Sequence, residues 1–161
     1  MRGARTLVLA TALLFAAPLA ARDATPYTPA VGSPERAAII ETLRTHPDLR
    51  FTFRHLRVWH DGDRVIAYAE GDNGAIGGFK IILTREGTTG WREVWGEGDG
   101  GSDSCAAGAR HYGWALALIT SYRVAPDRLF PEITEQTRKL EQAAKSDPEL
   151  QCVGDLEGGP E

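Results

Sequence analysis

The feature that most constrains this chain is a change of hydrophobic period at residue 51. Before it, Ile39, Ile40 and Leu43 fall on one side of a helical run. After it, apolar and polar residues alternate through Phe51–His60 and Arg64–Glu70. Between those two runs stands His60-Asp61-Gly62-Asp63, where Asp-Gly is a strong two-residue hairpin signal. Phe79–Thr84 follows the turn Gly71-Asp72-Asn73-Gly74, and Trp91–Trp95 follows Arg85–Gly90, which brings the strands to four. The expected fold class is α+β: an N-terminal helix packed on a four-stranded antiparallel meander, followed by two C-terminal helices tied by a disulfide.

The helix ends are written in local chemistry. Ser33 offers an N-cap oxygen, Pro34 suits the first helical position and Glu35 favours the positive end of the dipole. His46-Pro47 stops that helix, because the residue before proline is pushed out of the α region. A second helix is expected over Ser104–Tyr122, with Tyr112, Leu116, Ile119 and Tyr122 inward and His111 on the polar side; Gly108 and Gly113 weaken it. A third runs from Pro131 to about Lys145 with Ile133 and Leu140 inward, and Asp147-Pro148 ends it. The expected organisation is residues 1–21 a signal peptide, 22–32 an arm, 33–146 one domain, and 147–161 a mobile acidic tail anchored only at Cys152.

Arg2 and Arg5, the apolar run Leu7–Ala17 and Pro18-Leu19-Ala20-Ala21 have the layout of a secretory leader cleaved after Ala20 or Ala21. The run is shorter than the roughly 20 residues that cross a bilayer, and no Cys follows it to take a lipid. The expectation is a periplasmic or secreted protein with no stable membrane anchor after cleavage; a retained N-terminal anchor is the alternative. At 161 residues, 42% apolar and 25% charged, the chain reads as one globular domain. Its net charge is −4, and cleavage leaves 16 basic against 22 acidic side chains, about −6. That balance excludes a general nucleic-acid binder, which needs a basic surplus. In an exported protein the only two cysteines, Cys105 and Cys152, most simply bond to each other. Closing that loop stabilises by about 4 kcal/mol on the chain-entropy account. Two buried thiols or an intermolecular bridge are the alternatives.

With Asp61-Gly62 as the loop, His60 pairs with Asp63, Trp59 with Arg64, Val58 with Val65, Arg57 with Ile66, Leu56 with Ala67, His55 with Tyr68 and Phe53 with Glu70. One sheet face then carries Leu56, Val58, Val65, Ala67 and Ala69, a plain apolar surface for the first helix. The other carries Phe53, His55, Arg57, Trp59, Ile66, Tyr68 and Glu70. Aromatic walls with a few polar groups suit a ligand pocket, so Phe53, His55, Arg57 and Tyr68 are the candidate binding residues for a small molecule, peptide or protein partner. The competing expectation is that the C-terminal helices cover that face. A one-residue bulge would exchange the faces.

Were the protein an enzyme, it would be a small hydrolase or isomerase with His55 as its general base and Glu70 orienting it. Glu97, Asp99 and Asp103 are oxygen donors of the kind a hard cation such as Ca²⁺ prefers, though without EF-hand spacing. The same acidic loop, 97–103, would suit an inhibitor or immunity-type protein that holds a basic partner. Gly96, Gly98 and Gly101 match a dinucleotide-binding glycine pattern, but Glu97 and Asp99 repel a pyrophosphate and no βαβ unit surrounds them. No zinc motif and no serine-hydrolase elbow is present, and no cofactor is expected.

Ser33-Pro34-Glu35-Arg36-Ala37-Ala38-Ile39-Ile40-Glu41-Thr42-Leu43-Arg44, Phe53-Arg54-His55-Leu56-Arg57-Val58 and Trp91-Arg92-Glu93-Val94 together resemble a group of small uncharacterised exported bacterial proteins. The resemblance covers residues 33–96 and implies a cystatin-like or nuclear-transport-factor-2-like α+β layout in a bacterial periplasmic setting. It carries no catalytic residue, and the region from Cys105 to Cys152 departs from it.

Overall fold

The computed structural model describes residues 25–45, 47–74 and 77–159. The leader expected at 1–21, and the start of the arm, lie outside the described residues.

Helix α1 spans Pro34–Leu43, capped by Ser33, whose Oγ accepts from the Arg36 amide at 3.3 Å. Strands β1 (Thr52–Asp61), β2 (Arg64–Asp72), β3 (Gly78–Glu86) and β4 (Arg92–Gly98) form the antiparallel meander. A two-residue strand β5 (Asp103–Ser104) leads into α2 (Cys105–Ser121). Then follow α3 (Pro126–Leu129), α4 (Ile133–Ser146), β6 (Gln151–Val153) and β7 (Leu156–Gly158). Among the described residues no helix is long and apolar enough to cross a membrane.

The hairpin closes on Gly62-Asp63 rather than Asp61-Gly62, so every expected partner changes: Asp61 pairs with Arg64, Val58 with Ala67, Arg57 with Tyr68 and His55 with Glu70. Gly62 takes φ +62°, the left-handed conformation that this turn requires. The slip is an even number of residues, so the two faces keep their members from His55 onward. Phe53 does not keep its place. A bulge between Phe53 and His55 leaves Arg54 without a partner and turns Phe53 onto the α1 side, where it packs against Phe51 and Phe79. Opposite the bulge, a Cβ on Gly71 would overlap the Thr52 carbonyl.

Each sheet face has its own core. Ile39 and Leu43 of α1 pack with Leu56, Val58, Val65, Ala67, Ala69 and Leu83. On the other face Ile66, Tyr68, Ile82 and Trp95 are covered by Tyr112, Ala115 and Ile119 of α2, Ile133 and Leu140 of α4, and Phe130.

Two further expectations need correcting. The tail is not held by Cys152 alone: β6 pairs with β5, and β7 pairs with β4 as a fifth antiparallel strand. The Cys105–Cys152 bond, Cα–Cα 4.8 Å, seats the tail. It brings Gly154 so close to the Gly98 carbonyl that a Cβ there would overlap it. Likewise His111 is not on a polar face. It is buried, stacks on Trp95 with ring centroids 4.8 Å apart, and its Nε2 lies 2.9 Å from the Gly96 carbonyl. Burial holds its pKa below the usual histidine value.

Candidate functional site

Antiparallel register aligns His55 of β1 with Glu70 of β2, Glu70 with Lys80 of β3, and Lys80 with Glu97 of β4. Cross-strand partners point to one side, so these four residues form a polar row on the α2 face. The neighbouring row on that face, Arg57, Tyr68, Ile82 and Trp95, runs beneath the helical layer. Glu70, Lys80 and Glu97 of the charged row lie just past that layer and border a cleft of about 450 Å³, which His55 does not line. Arg54, Glu70, Lys80, Glu97 and Asp99 line one side of it, and the tail segment 151–154 lines the other.

The bulge that displaces Phe53 also places Arg54, whose guanidinium donates to Glu70 Oε1 at 2.8 Å. The second oxygen of Glu70 accepts from the Tyr68 hydroxyl at 2.9 Å. Lys80 Nζ lies 3.0 Å from both Glu97 Oε2 and the Tyr112 hydroxyl oxygen. The Tyr112 hydroxyl donates to Glu97 Oε2, and the Gly154 amide donates to Glu97 Oε1 at 3.2 Å. The carboxylate side chains are largely buried, 16% exposed for Glu70 and 11% for Glu97, whereas Lys80 keeps 33%. Lys80 is therefore the most exposed side chain of these three, and Arg54 beside it, at 75%, is the more open cation of the cleft. Burial, reinforced by the adjacent carboxylates, pushes both phenols far above their ordinary pKa, so Tyr68 and Tyr112 remain protonated donors. The arrangement offers fixed positive and negative charge side by side.

The four residues expected to bind do not assemble into a surface. Phe53 is on the opposite face, with the Arg36 guanidinium 5.3 Å from its ring centroid. Tyr68 is fully buried and stacks on Phe130 at 4.1 Å. Arg57 donates to the Arg128 carbonyl at 2.5 Å and so pins the end of α3 to the sheet. His55 stands in the charged row, but among the described residues no hydrogen bond joins it to Glu70, whose oxygens are taken by Arg54 and Tyr68. The covering expectation describes this face: α2 and α4 have apolar sides of their own to bury, and the Tyr68 side of the sheet receives them.

The acidic trio is likewise dispersed. Glu97 turns inward to Lys80, Asp99 accepts from the Gly78 amide at 2.8 Å, and Asp103 accepts from the Leu156 amide at 3.1 Å. Among the described residues no group of His, Cys, Asp and Glu could hold a metal ion.

Sequence reasoning passed over Lys80. Its signal was modest: one of three lysines, and the one charge inside the apolar run Phe79–Leu83. Tyr112 was legible as a core residue but not as a donor to Glu97, because that pairing joins a helix to a strand. No protein-family model matches the chain, and neither a curated protein nor a solved structure matches it.

Proposed function

We propose that this protein is an exported binding domain that captures a short peptide or another small zwitterion, without chemistry, in the cleft above Lys80. The observation that carries this reading is the row Glu70–Lys80–Glu97 at the cleft, in which a partly exposed lysine stands between two hydrogen-bonded carboxylates. A ligand with both a cationic and an anionic end meets both signs of charge in the cleft, Arg54 and Lys80 beside Glu70, Glu97 and Asp99, and charge-assisted hydrogen bonds set its orientation. Export is supported by residues 1–21 as a sequence and by a disulfide that suits an oxidising compartment. The layout of α1 and the meander over residues 33–96 is the one that the resemblance to cystatin-like or nuclear-transport-factor-2-like proteins implies, and kinship with them is part of this proposal.

The test is ligand-observed NMR of the disulfide-bonded protein with zwitterionic dipeptides, beside the same dipeptides blocked at both ends. Binding by the zwitterions that weakens at least about tenfold in Lys80→Met, a loss of about 1.4 kcal/mol, is the expected result. Equal affinity for blocked and zwitterionic peptides, or for wild type and Lys80→Met, overturns it.

A further inference from the structure

On the α1 side of the sheet lies a second cleft, of about 330 Å³. That is within the range of small-molecule pockets, at its lower end. The floor has a sequence cause. Gly96 pairs with Ile81, and Gly98 pairs with Phe79, so two neighbouring positions of β4 on this face carry no side chain. Leu43, Phe51, Phe79 and Ile81 supply an apolar wall.

The facing wall is acidic. A register shift between Ile82 and Leu83 sets Glu93 beside Leu83, on the α1 side, while Trp95 stays beside Ile82 on the other. Glu157 of β7 pairs with Gly96 and joins Glu93 there. A Cβ on Gly96 would lie 2.9 Å from Glu93 Oε1 and 3.5 Å from Glu157 Cβ, so the missing side chain is what admits both residues. Both residues are exposed at the rim of the cleft, which Asp99 and Asp155 also line; among the described residues neither the Glu93 nor the Glu157 carboxylate has a hydrogen bond or an ion pair, and no described Lys, Arg or His lines the cleft. Burial, and then the charge of Glu157, hold the Glu93 carboxyl above its ordinary pKa.

We propose that this cleft binds a small organic ammonium ion, with its apolar body against Phe51, Phe79 and Ile81 and its nitrogen between Glu93 and Glu157. Charge complementarity selects this occupant. An anion is repelled, and a neutral apolar molecule strips water from two carboxylates and gives them no donor. An ammonium satisfies both with charge-assisted hydrogen bonds while its hydrocarbon part leaves water. The inference does not depend on the Lys80 reading: the two clefts share Gly78, Phe79, Glu97, Gly98 and Asp99, but Ile81, Glu93, Gly96 and Glu157 line only this one, and Arg54, Glu70 and Lys80 only the other.

The experiment is a two-dimensional amide NMR titration of the disulfide-bonded protein with phenethylammonium, with phenethyl alcohol and phenylacetate as the neutral and anionic counterparts. Saturable shifts at Ile81, Gly96 and Glu157, which line this cleft and not the other, are expected with the ammonium alone. Affinity falls at least about tenfold in the double variant Glu93→Gln/Glu157→Gln. Glu157→Gln alone, a change on a three-residue edge strand, shows a smaller loss and serves should the double variant not fold. No saturable shift up to about 10 mM, a Kd weaker than any useful site, overturns the proposal. So does equal binding of phenethyl alcohol, undiminished binding in the Gln variants, or shifts that map to Lys80 and Tyr112 instead.

Discussion

At the scale of single residues, side chains are placed by what they must avoid as much as by what they contact. Glu93 is exposed at its outer side, but partial desolvation and the neighbouring Glu157 carboxylate raise its native pKa, so its folded form takes up a proton more readily than the unfolded chain. Stability therefore falls as pH rises from the ordinary glutamate value through the raised one, and stays reduced at neutral pH. Glu93→Gln removes that dependence. Thermal unfolding should show a higher Tm for the variant at pH 7 and no advantage near pH 3; an equal difference at both would show that the carboxyl is not strained by burial. Arg57 and Tyr68 make the complementary point. Their residue types suggest recognition, yet one is spent on the Arg128 carbonyl and the other on Phe130 and Glu70.

At the scale of elements, two glycines of α2 have opposite meanings that spacing alone does not separate. A Cβ on Gly113 meets nothing within 4 Å, so Gly113→Ala should stabilise by about 1 kcal/mol through helix propensity. A Cβ on Gly108 would lie 3.0 Å from Val153 and 3.3 Å from Leu140, so the same change there presses on the tail and on α4 and forfeits the gain. Urea unfolding of the two variants separates them; equal stabilisation would mean that the tail does not pack on α2. Gly154→Ala places its methyl on the Gly98 carbonyl and should cost more than about 2 kcal/mol, as buried steric changes do. The strands show the same division. Alternation gave the correct faces for the hairpin, although the register was two residues off, because parity survives an even slip. Phe53 escaped because a bulge changes parity, and nothing in Phe53-Arg54-His55 marks one.

At the scale of the whole molecule, the disulfide joins the start of α2 to the segment that closes both clefts. Its bond holds β6 on β5, and β7 continues the sheet beside β4. Cys105→Ser/Cys152→Ser should lose about 4 kcal/mol in denaturant unfolding, as expected for opening a loop of this length. A loss under about 1 kcal/mol, near that of an ordinary surface change, would show that the tail is held without it.

What the amino-acid order determined by itself was local: the Ser33-Pro34-Glu35 start of α1, the hairpin near Gly62, the membership of each hairpin face from His55 onward, the extent of α2 and the pairing of two cysteines. Each follows from interactions within a few residues, from a two- or 3.6-residue period, or from there being no other thiol. What only the tertiary structure decided was non-local. The choice of the Tyr68 face for α2 and α4, the fifth strand from an acidic tail, the Glu70–Lys80–Glu97 row and the glycine-floored cleft all join segments distant in sequence. Such contacts depend on how whole surfaces fit once apolar area leaves water, and no periodicity along the chain encodes that fit.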